Sequence, residues 1–286
     1  MKNKTLFFLL LVLAAPVFGA NDTLRNHLRV AEALRLLEIW LDAERDYEQI
    51  PGLSIAIVHD QELVWSHGFG YAHPDKKIPA TPKTIYSICS ISKLFTSIAV
   101  LQLRDRGLLR LDDPVGKHLP WFALKQAYPE AAPITVRGIL THSSGLPRES
   151  DFPYWSAPDF DFPSREEMIK RLSDQETLYP ADTYFQYSNL GITLAGELVT
   201  AISKQSYDTY VAKHILDPLG LKDTHPEMPE QERGGRLATG HSAKTRKGTR
   251  EKVGFFQTNG IAPAAGYSST VEDLAKFASW QFRVLD

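Results

Sequence analysis

The segment that most constrains the fold of this chain is the apolar stretch that begins at Ser90. Its sequence, SISKLFTSIAVLQLRDRG, covers residues 90–107 and places large apolar side chains around most of a helix. A helix with this pattern must be covered on nearly all sides, so we expect it at the centre of a domain, with Gly107 as its C-terminal cap. A chain of 286 residues, 43% of them hydrophobic, is long enough to supply that cover.

The remaining pattern mixes strands with helices and predicts an α+β fold. Residues 22–48 have the spacing of an amphipathic helix, and residues 53–58 and 62–72 predict a β-hairpin. The first hairpin strand is apolar on both faces, so we expect it to lie inside a covered sheet. We therefore predict an antiparallel sheet flanked by helices, together with a mostly helical lobe. Further helical patterns cover residues 134–147, 165–173, 190–204, 207–221 and from 269 almost to the end.

Residues 1–20 have the layout of a secretory signal peptide. Two lysines precede an apolar run over residues 6–15, and the small residues Gly19 and Ala20 follow. We expect cleavage near Gly19 or Ala20 and a periplasmic or secreted protein with no stable membrane anchor after cleavage. The rest of the chain, residues 21–286, is predicted to form one domain.

Composition and motif searches exclude several classes of function. The net charge of −2 is dispersed along the chain and offers no basic stripe for nucleic acid. Cys89 is the only cysteine, so no intramolecular disulfide forms, and we interpret it as a small buried residue. We predict no metal and no cofactor, and interpret His142 as holding a turn. The sequence contains no Gly-x-Ser-x-Gly motif, which disfavours an α/β-hydrolase. The predicted partner is a small-molecule or peptide substrate, and the oligomeric state stays open.

Ser90 and Lys93 form a candidate nucleophile and base. Residues three apart at the start of a helix lie on one face, so the two side chains can touch. A lysine can accept the serine proton if desolvation lowers its pKa, and the apolar helix supplies desolvation. However, about one Ser-x-x-Lys pair is expected by chance in a chain of this composition. The pair alone therefore favours a helix cap beside a solvent-seeking lysine over a catalytic pair.

Tyr187 and Asn189 provide a second and rarer signal. They occur in FQYSNLGITLAGEL, just before another apolar helical pattern. Two residues apart in an extended segment, they can point the same way. The phenol offers a second proton-transfer group, and the amide offers a donor and an acceptor to a substrate.

Four ordered blocks of the sequence resemble one family. They are YSICSISKLFTSIAVLQLRDRGLLRLDDPVGKHLP, ITVRGILTHSSGLP, YSNLGITLAGELV and AAGYSSTVEDLAKFA. Together they are similar to the penicillin-recognising serine hydrolases, in particular the branch related to class C β-lactamases, which includes D-amino-acid-releasing peptidases and esterases. The Ser-x-x-Lys motif is one of the signatures of this wider group.

The resemblance implies a β-lactamase/transpeptidase-like fold and a serine hydrolase that works through an acyl-enzyme. Ser90 would be the acylated nucleophile, Lys93 its base or proton relay, Tyr187 the second base and later acid, and Asn189 a ligand for the substrate amide. The backbone N–H of Ser90 would form half of an oxyanion hole. The implied substrates are β-lactams, peptides that end in a D-amino acid, or small esters.

The third motif of the family, Lys or His followed by any residue and Gly, is not found in its place. RKGT at residues 246–249 is superficially similar, but it precedes the AAGYSST block, and we expect it in a solvated loop. We therefore expect a C-terminally incomplete sequence of a longer hydrolase that lacks its last strands. The alternative is a genuine short relative, a catalytically impaired binding protein or penicillin sensor.

Overall fold

The computed structural model describes residues 23–150, 154–156 and 160–285, so the predicted signal segment over residues 1–20 lies outside the described residues. The helices are α1 (Leu28–Tyr47), α2 (Ser92–Asp105), α3 (Val115–His118), α4 (Val136–Leu140), α5 (Arg165–Arg171), α6 (Asn189–Ser203), α7 (Tyr207–Val211), α8 (Asp217–Leu219), α9 (Ala262–Ala265) and α10 (Val271–Leu285). The strands are β1 (Gly52–His59), β2 (Glu62–His73), β3 (Ile78–Pro79), β4 (Tyr86–Ser87) and β5 (Ser268–Ser269).

The predicted hairpin is confirmed and forms most of a three-stranded sheet. Strands β1 and β2 pair antiparallel, β3 pairs with the other edge of β2, and the order is β1-β2-β3. Position 68, within β2, requires glycine because the segment after β3 passes close to it: a Cβ at Gly68 would lie 2.3 Å from the Ala80 carbonyl oxygen. The sheet therefore depends on close backbone contact at this edge.

The expectation that the first strand lies inside a covered sheet is wrong. Among the described residues β1 is an edge strand, paired on one side only, and none of its residues is buried. Helix α10 packs against it, but α1 contributes no buried residue at all. An apolar strand sequence indicates which faces of the strand can be buried. Whether they are buried depends on which helices and strands pack against them.

The predicted central helix is confirmed as α2. It packs against α6 and α9, and Phe95 is completely buried between the rings of Tyr267 and Phe277. Helix α6 is buried over eleven consecutive residues, 189–199. Gly107 adopts a φ of +70° just after α2, the left-handed conformation of a C-terminal glycine cap. The centre of the core is therefore a contact between two largely buried helices.

Several predicted helices differ in extent from the observed ones. The segment 134–147 is helical only over α4, because the residues that follow turn back to bond with a later segment of the chain. His142 and Gly145 both have positive φ in this turn, 57° and 74°. The segment 207–221 is divided into α7, a π-helical segment at Ala212–Leu216, and α8. The early end of α4 reflects hydrogen bonds from residues 178–186 to this turn, which periodicity alone does not reveal.

A second, two-stranded sheet pairs the segment before α2 with the segment before α10. Strand β4 precedes Ser90 directly and pairs antiparallel with β5, which precedes α10. The Thr270 hydroxyl accepts a hydrogen bond from the Asp273 N–H at 3.2 Å, so it caps α10. Within the described ranges, no helix has the length and hydropathy to cross a membrane.

Candidate active site

Ser90 and Lys93 touch, as their spacing predicts. Ser90 lies in a 3₁₀ turn, Cys89–Ile91, that leads directly into α2, and Lys93 is the second residue of that helix. The Lys93 Nζ donates a hydrogen bond to the Ser90 Oγ over 3.2 Å. Ser90 is exposed, whereas Lys93 is 7% exposed. The pair therefore presents its hydroxyl to solvent and keeps its amine inside the protein.

Lys93 is buried, and its surroundings favour the neutral amine. Its Nζ also donates to the carbonyl oxygen of Ala264, in α9, at 2.7 Å. Within the described residues no carboxylate forms an ion pair with it. Burial lowers the pKa of Lys93, and neighbouring Arg148 lowers it further, while Tyr187 and Glu149 act in the opposite direction. The amine can thus serve as a proton acceptor nearer to neutral pH than an exposed lysine.

Tyr187 completes a group of three side chains. It lies in the segment just before α6, 97 residues after Ser90, and its hydroxyl donates to the Ser90 Oγ at 2.8 Å. The Lys93 Nζ lies 4.9 Å from the centre of the Tyr187 ring, and the guanidinium of Arg148 lies at the same distance. The serine oxygen therefore accepts two hydrogen bonds, one from a lysine and one from a phenol, and either group can take the Ser90 proton once it has lost its own.

Backbone hydrogen bonds hold the Tyr187 segment against the turn at residues 142–148. The Gln186 N–H donates to the His142 carbonyl oxygen at 2.7 Å, and the Asn189 N–H donates to the Arg148 carbonyl oxygen at 2.7 Å. The Ser188 hydroxyl accepts from the Gly191 N–H at 2.8 Å and so caps α6. The N-terminal end of α6, which Tyr187 precedes by two residues, is thereby joined to this turn.

Asn189 is close in sequence to Tyr187, but its side chain is bound elsewhere. It is 3% exposed, and its Nδ2 donates to Glu149 Oε1 at 2.6 Å. No hydrogen bond joins it to Ser90, Lys93 or Tyr187 in the part of the chain that the structure describes, and its Oδ1 has no partner there. The structure thus brings three of the four predicted site residues together and places the fourth beside them with a carboxylate partner.

Glu149 is a site neighbour that the sequence reasoning did not identify. Besides the Asn189 amide, its carboxylate accepts a hydrogen bond from the Tyr154 hydroxyl at 2.5 Å, and Arg148 Nε lies 3.3 Å away. Tyr154 is buried in an aromatic cluster with Phe162. The THSSGLP block gave a signal for this region, but nothing in the pattern singled out the residues that follow it.

The environment of Cys89 differs from the expectation of a small buried residue. It is exposed, and its φ of +43° places it in the left-handed region. The chain bends sharply here, between β4 and the turn that contains Ser90, and this bend turns the thiol outward. The segment 246–249 lies in an exposed turn, as expected.

Comparison with known proteins gives a consistent result. A family model described as Beta-lactamase matches residues 40–285. The chain is similar to Beta-lactamase-like protein 2 of Dictyostelium discoideum, with 37% identity over 172 residues, which cover 59% of this chain and 31% of that protein. The chain therefore spans well under half the length of this curated relative.

Solved structures agree with this assignment. The octameric penicillin-binding protein homologue from Pyrococcus abyssi matches with a TM-score of 0.77 and 32% identity, over 88% of this chain and 57% of that chain. The β-lactamase/D-alanine carboxypeptidase from Yersinia pestis matches with a TM-score of 0.71 and 25% identity, over 86% and 68%. The fold is thus the predicted α+β, β-lactamase/transpeptidase-like one. Since the family match extends over most of its length, this chain belongs to the Beta-lactamase family.

Proposed function

We propose that this protein is a serine hydrolase that acts through an acyl-enzyme formed on Ser90. The observation that carries the proposal is the pair of hydrogen bonds to the Ser90 Oγ, from Lys93 at 3.2 Å and from Tyr187 at 2.8 Å. A serine hydroxyl is a weak nucleophile unless a base takes its proton, and here two candidate groups contact one exposed hydroxyl. A serine that only capped the helix would require neither the Lys93 amine nor the Tyr187 phenol beside it.

The proposed reaction has two steps. In the first, the Ser90 Oγ forms a bond to the substrate carbonyl carbon while its proton passes to Lys93 or Tyr187. The bond between that carbon and the leaving nitrogen or oxygen then breaks, and Tyr187 gives the leaving group a proton: either the one it took from Ser90, or its own, which Lys93 then replaces with the proton from Ser90. In the second, water adds to the acyl carbon while one of its protons passes to the same base, the bond between that carbon and Oγ breaks, and the base returns the proton to Oγ.

Two further groups suit this chemistry. Among the described residues, nothing accepts a hydrogen bond from the Ser90 N–H, so this donor is available to a carbonyl oxygen that becomes negative in the transition state. The Asn189 side chain, oriented by Glu149, is the proposed ligand of the substrate amide. Its Oδ1 is buried and has no partner in the described chain, so this contact requires the side chain to turn toward Ser90.

The proposed substrates are amides or esters: β-lactams, peptides that end in a D-amino acid, or small esters. Similarity to a penicillin-binding protein homologue and to a β-lactamase/D-alanine carboxypeptidase supports this range. The layout of residues 1–20 supports a proposed periplasmic or secreted location, where such substrates are found.

Labelling with a fluorophosphonate or a fluorescent penicillin, followed by intact mass and peptide mapping, tests the proposal. We expect one adduct, on Ser90, and none in Ser90→Ala. Cys89→Ala is the matched control, because it removes the exposed neighbouring thiol and should label like the wild type.

The outcomes of this test separate the possible functions. Labelling with release of product supports the hydrolase, and stable labelling without turnover identifies a penicillin sensor instead. An adduct on another residue, or no adduct with either reagent, would overturn the proposal.

A further inference from the structure

We infer that His142 is a positioning residue that holds Tyr187 against Ser90 and does so only as a neutral imidazole. The inference rests on the proposed function of Ser90 and Tyr187 and adds a residue that does not touch the serine. His142 follows α4 and was interpreted from the sequence only as part of a turn.

His142 contacts three consecutive residues of the Tyr187 segment. Its carbonyl oxygen accepts a hydrogen bond from the Gln186 N–H at 2.7 Å, and its ring Nδ1 accepts one from the Ser188 N–H at 3.1 Å. The imidazole also lies against the Tyr187 ring, with 4.5 Å between ring centres and 32° between ring planes. The residues on either side of Tyr187 are thus bonded to His142, and the phenol ring between them packs on it.

The hydrogen bond from Ser188 sets the protonation state of the ring. Because a backbone N–H can only donate, Nδ1 must be the unprotonated nitrogen, and the proton of the neutral ring is on Nε2. An imidazolium carries protons on both nitrogens, so its Nδ1–H would face the Ser188 N–H, donor against donor. Protonation therefore removes this contact with the Tyr187 segment.

The surroundings of the ring favour the neutral form. His142 is partly buried, and burial lowers its pKa, with the nearby charge of Lys93, from α2, acting in the same direction. The other groups that face it are the rings of Tyr187 and Phe185, the latter edge-on at 5.8 Å between ring centres. Arg148 lies 4.9 Å from the centre of the Tyr187 ring on which His142 packs. No carboxylate of the described chain pairs with the imidazole to stabilise its charge.

A residue that only maintained the turn would act differently. The turn requires the positive φ of 57° at position 142 and the carbonyl contact with Gln186, and neither depends on the imidazole. Asparagine adopts that φ readily and places its Oδ1 where histidine has Nδ1, whereas phenylalanine keeps a ring but has no acceptor. Two substitutions can therefore separate the acceptor from the ring.

The test compares His142→Asn, His142→Phe and a control, His73→Asn. His73 is a buried histidine of β2 whose ring nitrogens contact Thr239 and Gly235, so its replacement perturbs a hydrogen-bonded histidine outside the candidate site. Two quantities are measured: hydrogen exchange at the Ser188 amide, and the rate of fluorophosphonate labelling at Ser90 as a function of pH.

We expect His142→Phe to lose protection at Ser188 and to label about tenfold more slowly, the factor that corresponds to loss of one hydrogen bond. His142→Asn should retain protection and most of the rate, and its labelling should no longer fall as pH drops through the titration of His142. His73→Asn should change neither readout. Equal labelling by His142→Phe and the wild type, or equal losses in both His142 variants, would overturn the inference.

One measurement on the unmodified protein keeps the inference falsifiable if a variant does not fold. In ¹⁵N NMR of the histidine side chains, the neutral His142 ring should carry its proton on Nε2, and a proton on Nδ1 would overturn the inference. If the wild type is not labelled at Ser90, the proposed function fails separately. Ser188 exchange and the tautomer then decide whether His142 holds the Tyr187 segment.

Discussion

The hairpin region, residues 28–79, and the helical region, residues 86–285, differ in how completely their apolar side chains are buried. Neither α1 nor β1 contains a buried residue, and Leu36, Ile39 and Trp40 of α1 are between 58% and 70% exposed. In the helical region the facing sides of α2 and α6 are almost completely enclosed. Both regions have apolar sequences, so the difference lies in what covers them.

The candidate site lies entirely on the better-buried region. Lys93 is on α2, Tyr187 precedes α6, and Ala264 is on α9, and these three helices pack against one another. A buried lysine and a phenol held at hydrogen-bond distance need surroundings that do not relax around them. The hydrogen bonds to the Ser90 Oγ therefore both come from the helical region.

The largest expected effect is at Lys93, a buried amine whose charged form is disfavoured in the folded protein. Lys93→Met should slow labelling of Ser90 by roughly 10²–10⁴-fold, the usual contribution of a general base. Because burial lowers the pKa of Lys93 below its ordinary 10.5, the unfolded chain binds this proton more tightly than the folded protein. The wild-type free energy of unfolding should therefore rise with pH, up to about pH 10.5, relative to that of the variant.

Urea titrations of both proteins at several pH values measure this difference. Wild-type stability that falls over that interval, relative to Lys93→Met, would show that the charged amine is favoured in the fold. Such a result would contradict the role of Lys93 as a base.

Matched aromatic truncations compare the two regions directly. Phe95→Ala removes a completely buried ring that stacks on Tyr267 at 4.9 Å between centres, and it should lower the free energy of unfolding by about 3–5 kcal/mol. Trp40→Ala removes a larger ring that is 58% exposed, and the change should stay within about 0.5 kcal/mol. Chemical denaturation measures both. A loss of similar size in Trp40→Ala would mean that another surface covers α1, and the comparison would break down.

The smallest expected effect compares two serines. Ser188→Ala removes the cap of α6 and the hydrogen bond from its hydroxyl to the Pro147 carbonyl oxygen at 2.6 Å, and it should cost about 1 kcal/mol. Ser54→Ala, in the half-buried β1, removes a hydroxyl bonded to Thr81 and Tyr86, and water can replace those bonds at a cost within about 0.5 kcal/mol.

Thermal unfolding ranks the two serine variants, and Ser90 labelling provides the second readout. Only Ser188→Ala should also slow labelling, since its cap lies beside Tyr187. A larger loss of stability in Ser54→Ala, or slower labelling in that variant, would show that the sheet supports the site.

Much of the fold followed from periodicity, and the errors share one cause. The hairpin, α2 and α6 were predicted because alternation and helical spacing are local properties of the chain. The covered position of β1 and the burial of Cys89 were wrong, because both depend on neighbours from elsewhere in the chain. The helix expected over residues 134–147 was too long for the same reason: its second half bonds to residues 178–189.

The sequence by itself predicted that Ser90 and Lys93 can touch, since residues three apart at the start of a helix lie on one face. It also supplied Tyr187 as a candidate through its motif and its position before an apolar helix. Only the tertiary structure decided that this phenol reaches a serine 97 residues away, that Lys93 is enclosed against Ala264, and that His142 contacts the Tyr187 segment. Such contacts depend on how α2, α6 and α9 pack, and that packing is a property of the whole core.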